Sequence, residues 1–161
     1  MITQELLLSN FYYKDGSVYW RIDKNYRAKK DQIAGCLPKG HRYRLLKVNN
    51  KAIPEHRAIF LMMNGYLPQF IDHIDGNAFN NNLSNLREAT CVQNQYNSKL
   101  RKDSTSNIKN VRWHKASNSW MVCVRIEKKE KYFGIYKDIE LAELVAMEVR
   151  SKYHKEFARH K

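Results

Sequence analysis

"IDHIDGNAFNNNLSNLREATCVQNQYN", residues 71–97, holds seven asparagines in the 21 positions from Asn77 to Asn97, directly behind Asp72, His73 and Asp75. Asn and Gly supply turn conformations that other side chains resist, so a surface loop would account for the clustering. It does not account for the order. Residues 70–74 are a short apolar run that reads as a strand, a polar loop follows from Asp75 to about Ser84, and "NLREAT" reads as a second strand. Thr90 then stands three residues before Gln93, a capping-box spacing in which the N-cap and N3 side chains satisfy each other's backbone amides. With Thr90 as the N-cap, Asn94 and Asn97 lie three apart on one helical face. The stretch therefore predicts strand, loop, strand and helix, with Asp72 and His73 on the first strand, Asn85 at the end of the loop and Asn94 on the helix.

On the amino-terminal side, "PEHRAIFLMMNG" predicts one helix, with Pro54 early and Gly65 after its last turn. Before it, aromatic and charged residues alternate around Gly and Asn, which predicts short strands joined by turns at Lys14-Asp15-Gly16 and Asn49-Asn50. On the carboxy-terminal side, "SKLRKDSTSN" has the composition of a linker. "NVRWH", "WMVCVRI" and "KYFGIY" follow as three strands. Val111, Trp113, Trp120, Val122, Val124 and Ile126 are expected on one face, and Arg112, His114, Met121, Cys123 and Arg125 on the other. A closing helix begins near Asp138, with Leu141, Val145, Val149 and Lys152 as the stripe that covers the sheet. Trp113, Trp120, Met62 and Met63 are expected in the core, as is His56 on its apolar helix. Cys36 and His41 are too isolated to assign.

The formal net charge is +13, from 29 Lys and Arg against 16 Asp and Glu, and 43% of the residues are hydrophobic. A folded protein with a polyanionic partner fits these values, and nucleic acid leads. No apolar run approaches the length of a spanning helix and Met1 opens no signal peptide, so the sequence predicts no membrane association and a cytoplasmic protein. Three separated cysteines without a CxxC pair argue against a disulfide framework and against zinc. Nine basic and two acidic residues fall between 21 and 47, and eleven and three between 95 and 137, whereas residues 48–94 carry a net charge of about one negative. Two basic stretches bracket a centre that keeps its carboxylates, where a cation can mediate between them and phosphate.

The central order resembles the ββα-metal motif of HNH nucleases. His73 matches the first His of that motif, Asn85 the middle Asn and Asn94 the last position, and Asp72 matches the acidic residue that many members carry before the His. The flanks "EHRAIFLMMNGYLP" and "NLREATCVQNQYN" resemble the phage-encoded, homing-type branch. The resemblance implies in-line phosphodiester hydrolysis of double-stranded DNA, leaving 5′ phosphate and 3′ hydroxyl ends. His73 would be general base, Asp72 and Asn94 would be hard oxygen ligands for one Mg2+ or Mn2+, and Asn85 would brace the loop. Asn77, Asn80, Asn81 and Asn82 would mostly make turns. Asn97 has two readings, phosphate contact and loop bracing.

Residues 107–158 resemble the AP2 DNA-binding domain, in which a three-stranded sheet enters the major groove with a helix behind. Arg112, His114, Arg125 and Tyr132 fall at its DNA-facing positions. Cys123 and Glu130 depart from the family's contact residues, so its base preference is not carried over. The run Lys128 to Lys131 reads either as a solvated hairpin tip or as a phosphate contact.

The expected fold is α+β: a basic, β-rich region over 1–53, an HNH core over 54–98, a linker over 99–106 and an AP2-like domain over 107–161. The expected function is a metal-dependent DNA endonuclease without a small-molecule cofactor, nicking or cutting both strands, its oligomeric state open. A DNA-binding regulator with an inactive centre is the competing reading, and an RNA-directed protein a third. Intact Asp72, His73 and Asn94 speak against the second, and a sheet without stacked aromatic pairs against the third.

Overall fold

The computed structural model describes residues 1–160. The chain folds as two compact units, Met1–Ala89 and Thr90–Lys161, and the class is α+β.

The first unit opens with a helix absent from the sequence expectation, α1 (Gln4–Asn10), N-capped by Thr3. Two hairpins follow, β1 (Phe11–Lys14) with β2 (Ser17–Trp20), and β3 (Leu45–Val48) with β4 (Lys51–Pro54). Both turns need positive φ at two successive residues to match the twist of the strands. Asp15-Gly16 and Asn49-Asn50 supply it, with φ of 47° and 80°, and of 46° and 62°. Helix α2 (Glu55–Asn64) starts after Pro54 and stops at Gly65, whose φ of 78° closes the last turn. Its Ala58, Ile59, Phe60, Leu61 and Met62 join Leu7, Phe11, Val18, Leu46 and Ile71 in one core. Met63 does not; it is 46% exposed, because it follows Met62 by about 100° around the helix, which carries it off the core stripe. Strands β5 (Phe70–His73) and β6 (Leu86–Ala89) pair antiparallel, with Asp72 opposite Arg87 and His73 opposite Leu86.

In the second unit, Thr90 caps the short helix α3 (Cys91–Tyr96), and both bonds of its capping box with Gln93 are present. Strands β7 (Val111–His114), β8 (Ser119–Ile126) and β9 (Lys129–Tyr136) form an antiparallel sheet in that order. Helix α4 (Ile139–His154), N-capped by Asp138, covers it. Val111, Val122, Val124, Ile126, Ala142, Ala146 and Val149 are the core. The helical seam is Ala142, Ala146 and Val149, with Val145 partly buried against it, so the expected Val145 and Val149 pack on the sheet and Leu141 and Lys152 do not. Small residues let the helix approach the sheet, and Leu141 and Lys152 lie exposed beside the seam. Trp113 is 38% exposed and meets Trp120 edge-on at 4.8 Å, because β7 is an edge strand and the tryptophan sits near its end. Cys123, on the opposite face, is nonetheless buried, covered by Arg112, whose Nη2 lies 3.5 Å from Sγ. All three cysteines are free thiols. Residues 99–106 are tied in part: Ser106 donates to the carbonyls of Val111 and Ile108, and Arg101 pairs with Asp103. No helix among the described residues is long and apolar enough to cross a membrane.

Candidate active site

Successive side chains on a strand leave on opposite faces, so the neighbours Asp72 and His73 enter different environments. Asp72, 4% exposed, faces across the hairpin to Arg87, whose Nε and Nη2 donate to Oδ2 at 2.9 and 2.8 Å. His73 turns toward the first turn of α2. Its ring lies 5.2 Å from that of His56, which lies 4.5 Å from that of Tyr43. Its Nε2 is 3.0 Å from Oδ1 of Asn81, and the Asn81 amide donates to Oε2 of Glu55 at 3.1 Å. Glu55 also accepts from the Val18 amide and lies 3.6 Å from Arg44. His73, Asn81, Glu55 and His56 are all buried, so the candidate base sits in a packed polar cluster rather than on an open loop.

Burial, with the nearby His73 next in weight, drives the His56 pKa down to about 3, so this second imidazole stays neutral at working pH. Burial likewise pushes the Glu55 carboxyl up, against the pull of the Val18 amide, Arg44 and Asn81.

The loop from Asp75 to Ser84 is wired by its own amides. Asn85 accepts from the Asp75 backbone N–H at 3.0 Å and donates to Asp75 Oδ1 and to the Asn80 carbonyl. Asp75 also accepts from the Asn77 backbone amide and the Asn80 side chain. Burial alone would raise its pKa, but these donors outweigh it and hold the carboxyl below its ordinary value. Asn77 and Asn80 accept from backbone amides two residues ahead, as turn asparagines do. Asn81 is the exception among the loop asparagines, 4% exposed and bonded to two side chains distant in sequence.

Asp72, His73 and Asn85 therefore come together in the first unit. Asn94 lies exposed on α3 and Asn97 is buried at its C-cap, both in the second unit. Glu55, His56, Tyr43 and Asn81 are the site's neighbours that sequence reasoning passed over or assigned to turns and packing. No group of three or more His, Cys, Asp and Glu suited to a metal occurs among the described residues. A Mg2+ ion needs fewer protein ligands than that, since it keeps waters and is held by one or two carboxylates. The Asp72 carboxylate is a hard oxygen donor of the kind such an ion takes.

The sheet of the second unit carries the other candidates. Arg112, Arg125, Lys128, Lys131 and Tyr132 are exposed and His114 is partly so, its Nδ1 2.8 Å from the Ser117 hydroxyl. Arg112 pairs with Glu130 at 3.1 Å, both side chains about half exposed. Lys128 sits in the β8–β9 turn with φ of 70°.

Residues 55–96 match the HNH endonuclease family model. Protein 3.8 of Escherichia phage T7 is 37% identical over 113 residues, 68% of this chain and 91% of that protein. Uncharacterized HNH endonuclease L560 of Acanthamoeba polyphaga mimivirus is 47% identical over 60 residues, 35% of this chain and 30% of that protein. No solved structure matches. The chain belongs to the HNH endonuclease family, of the type found in phages.

Proposed function

We propose that this HNH nuclease is a metal-dependent, homing-type endonuclease that hydrolyses double-stranded DNA in the host cytoplasm. The observation that carries the reading is the placement of His73: a histidine on the hairpin that carries Asp72, its ring held by Asn81, inside the stretch that matches the family.

In this reading His73 takes a proton from water. The water oxygen bonds to phosphorus as the bond to the 3′ oxygen breaks; that oxygen leaves with the electron pair and is protonated, giving 5′ phosphate and 3′ hydroxyl ends. Asp72 and Asn94 would hold a single Mg2+ or Mn2+, which would supply charge neutralisation at the phosphate and the departing oxygen. Asn85 holds the loop so that His73 keeps its aim. The AP2-like sheet contributes Arg112, His114, Arg125 and Tyr132 to DNA contact, with Lys128 and Lys131 at its tip touching phosphate. One site per chain nicks; cutting both strands takes a second copy or a second event.

The test is conversion of a supercoiled plasmid by the full chain with Mg2+, with EDTA, and by His73→Ala. Conversion that needs Mg2+ and that the variant lacks supports the proposal, and open circle against linear product separates nicking from double-strand cutting. Conversion by His73→Ala at the native rate would overturn the base assignment, and binding without conversion would favour the regulator.

A further inference from the structure

Residues 21–44 join the two hairpins of the first unit, and their backbone is pinned at both ends. Ala34 donates to the Val18 carbonyl at 2.7 Å, and Cys36 and Leu45 exchange both backbone bonds, so the stretch around them bridges β2 to β3. The loop ahead of it closes on itself. The Lys24 backbone N–H donates to the Ala28 carbonyl, Asn25 Oδ1 accepts from the Arg27 and Ala28 amides, and Asp23 Oδ1 accepts from the Lys30 amide. Lys24, Arg27 and Lys30 therefore stand exposed on a backbone that is already ordered.

Between this loop and the β3–β4 turn runs a groove. It is lined by the Trp20 ring, by Lys24, whose Nζ lies 5.5 Å from that ring's centre, by Lys47, and by the amides of Asn25, Asn49 and Asn50. No carboxylate is among its lining residues. The two acids of the segment are engaged elsewhere, Asp23 with the Lys30 amide and the Lys29 ammonium, Asp31 with the Tyr12 hydroxyl at 2.8 Å. Among the described residues Lys24, Arg27, Lys30 and Lys47 enter no ion pair. Their charge is left for a partner. An ammonium is a point charge on a flexible stem and meets a phosphate from many angles, whereas reading a base edge favours a planar fork, so this groove suits backbone rather than base sequence.

We infer that the groove and its loop are a sequence-independent DNA surface of the first unit, on which Lys24, Arg27, Lys30 and Lys47 hold phosphates of the duplex. This rests on the reading that the substrate is DNA. Ile22 and Tyr26, 50% and 76% exposed, would also suit an anionic bilayer, but a bilayer takes an apolar face laid flat, not a concave wall of amides and ammonium groups.

The test uses the full-length chain and fluorescence anisotropy on two unrelated duplexes across a salt series. Lys24→Gln/Lys47→Gln is expected to weaken both duplexes alike and to lower the slope of log affinity against log salt by about two, since each phosphate contact contributes about 0.9. In plasmid cleavage the same variant should raise KM with kcat kept, because a uniform grip on the substrate is lost. In wild type, bound duplex should protect Lys24 and Lys47 from acetylation, read by peptide mass, while Lys152 on α4 stays reactive; this measurement decides even if the variant fails to fold.

A slope unchanged in the variant overturns the inference, as do Lys24 and Lys47 that stay reactive under bound DNA, or a chain that binds neither duplex. Binding to phosphatidylserine-containing vesicles that the variant loses, with DNA affinity untouched, would give the surface to a membrane instead. Protection and a reduced slope in a chain that never cuts plasmid would uphold the surface and sink the nuclease reading. Cleavage that needs Mg2+ and His73, with slope and reactivity unmoved, would do the reverse.

Discussion

Asp72 and Arg87 face each other across the hairpin, and their side chains are 5% and 18% exposed. Removing one partner of so buried a pair leaves the other charge desolvated, so Arg87→Ala is expected to cost about 3 kcal/mol in urea unfolding. Asp72→Asn should cost a similar amount, and the double variant much less than the sum, since both changes remove the same pair. Additive costs would show that the pair contributes nothing by itself. At this scale the candidate site was only partly legible. Asp72, His73, Asn85 and Asn94 stand out because the motif spaces them along the chain. Asn81 does not, because its partner Glu55 is 26 residues away and on a helix whose packing no local pattern reveals. His56 was read as core and is buried, but nothing in an apolar helix says that its neighbour is the other histidine.

Among the elements, α3 is six residues long, well below the length at which a helix holds itself together in water. Its cap therefore matters. Thr90→Ala removes the acceptor for the Gln93 amide and is expected to cost about 1 kcal/mol, checked by chemical denaturation followed through the second unit. Tertiary contacts supply the rest. The Tyr96 ring stacks on His154 at 3.7 Å, its hydroxyl accepts from the Glu127 amide, and the Lys109 ammonium donates to the carbonyls of Tyr96 and Ser98. Burial lowers the His154 pKa below its ordinary 6.5, with Lys109 and Arg150 adding to the shift and the bond to the Arg125 carbonyl opposing it. The unfolded chain thus binds the proton more readily, so this contribution is fully present above about pH 6.5 and is lost as pH falls through the folded value. Thermal melts from pH 7 to pH 5 should drop more steeply for wild type than for His154→Gln; parallel slopes would acquit His154. Strands and turns were legible because Asp-Gly and Asn-Asn are turn chemistry and strand alternation has period two. Helix α1 was not, since seven residues capped by Thr3 depend on packing that the sequence does not display. In the α4 seam Val149 was read rightly and Leu141 wrongly, because hydrophobicity favoured Leu141, whereas close approach to the sheet favoured Ala142 and Ala146.

For the whole molecule, a charge of +13 makes DNA association strongly salt-dependent. Arg112→Ala and Arg125→Ala should each weaken binding and reduce the slope of log affinity against log salt by about one if each meets a phosphate. The Arg112 loss should be the smaller, because that guanidinium gives up its Glu130 partner to reach DNA. Slopes that do not change would take this sheet off the contact surface. The distribution of basic residues was legible in the sequence, and so was the shared face of Arg112 and Arg125, because strand alternation has period two; the pairing of Arg112 with Glu130 was not.

The compact units divide between Ala89 and Thr90, so the break falls inside the motif, and the contacts that steady α3 come from residues 109, 127 and 154. For recombination this moves the natural seam. A chimera joined in the polar stretch near residue 100 would inherit α3 without the scaffold that holds it, whereas a joint at residue 90 would carry helix and scaffold together. If such nucleases trade specificity modules, the piece that travels intact carries part of the cutting motif with it.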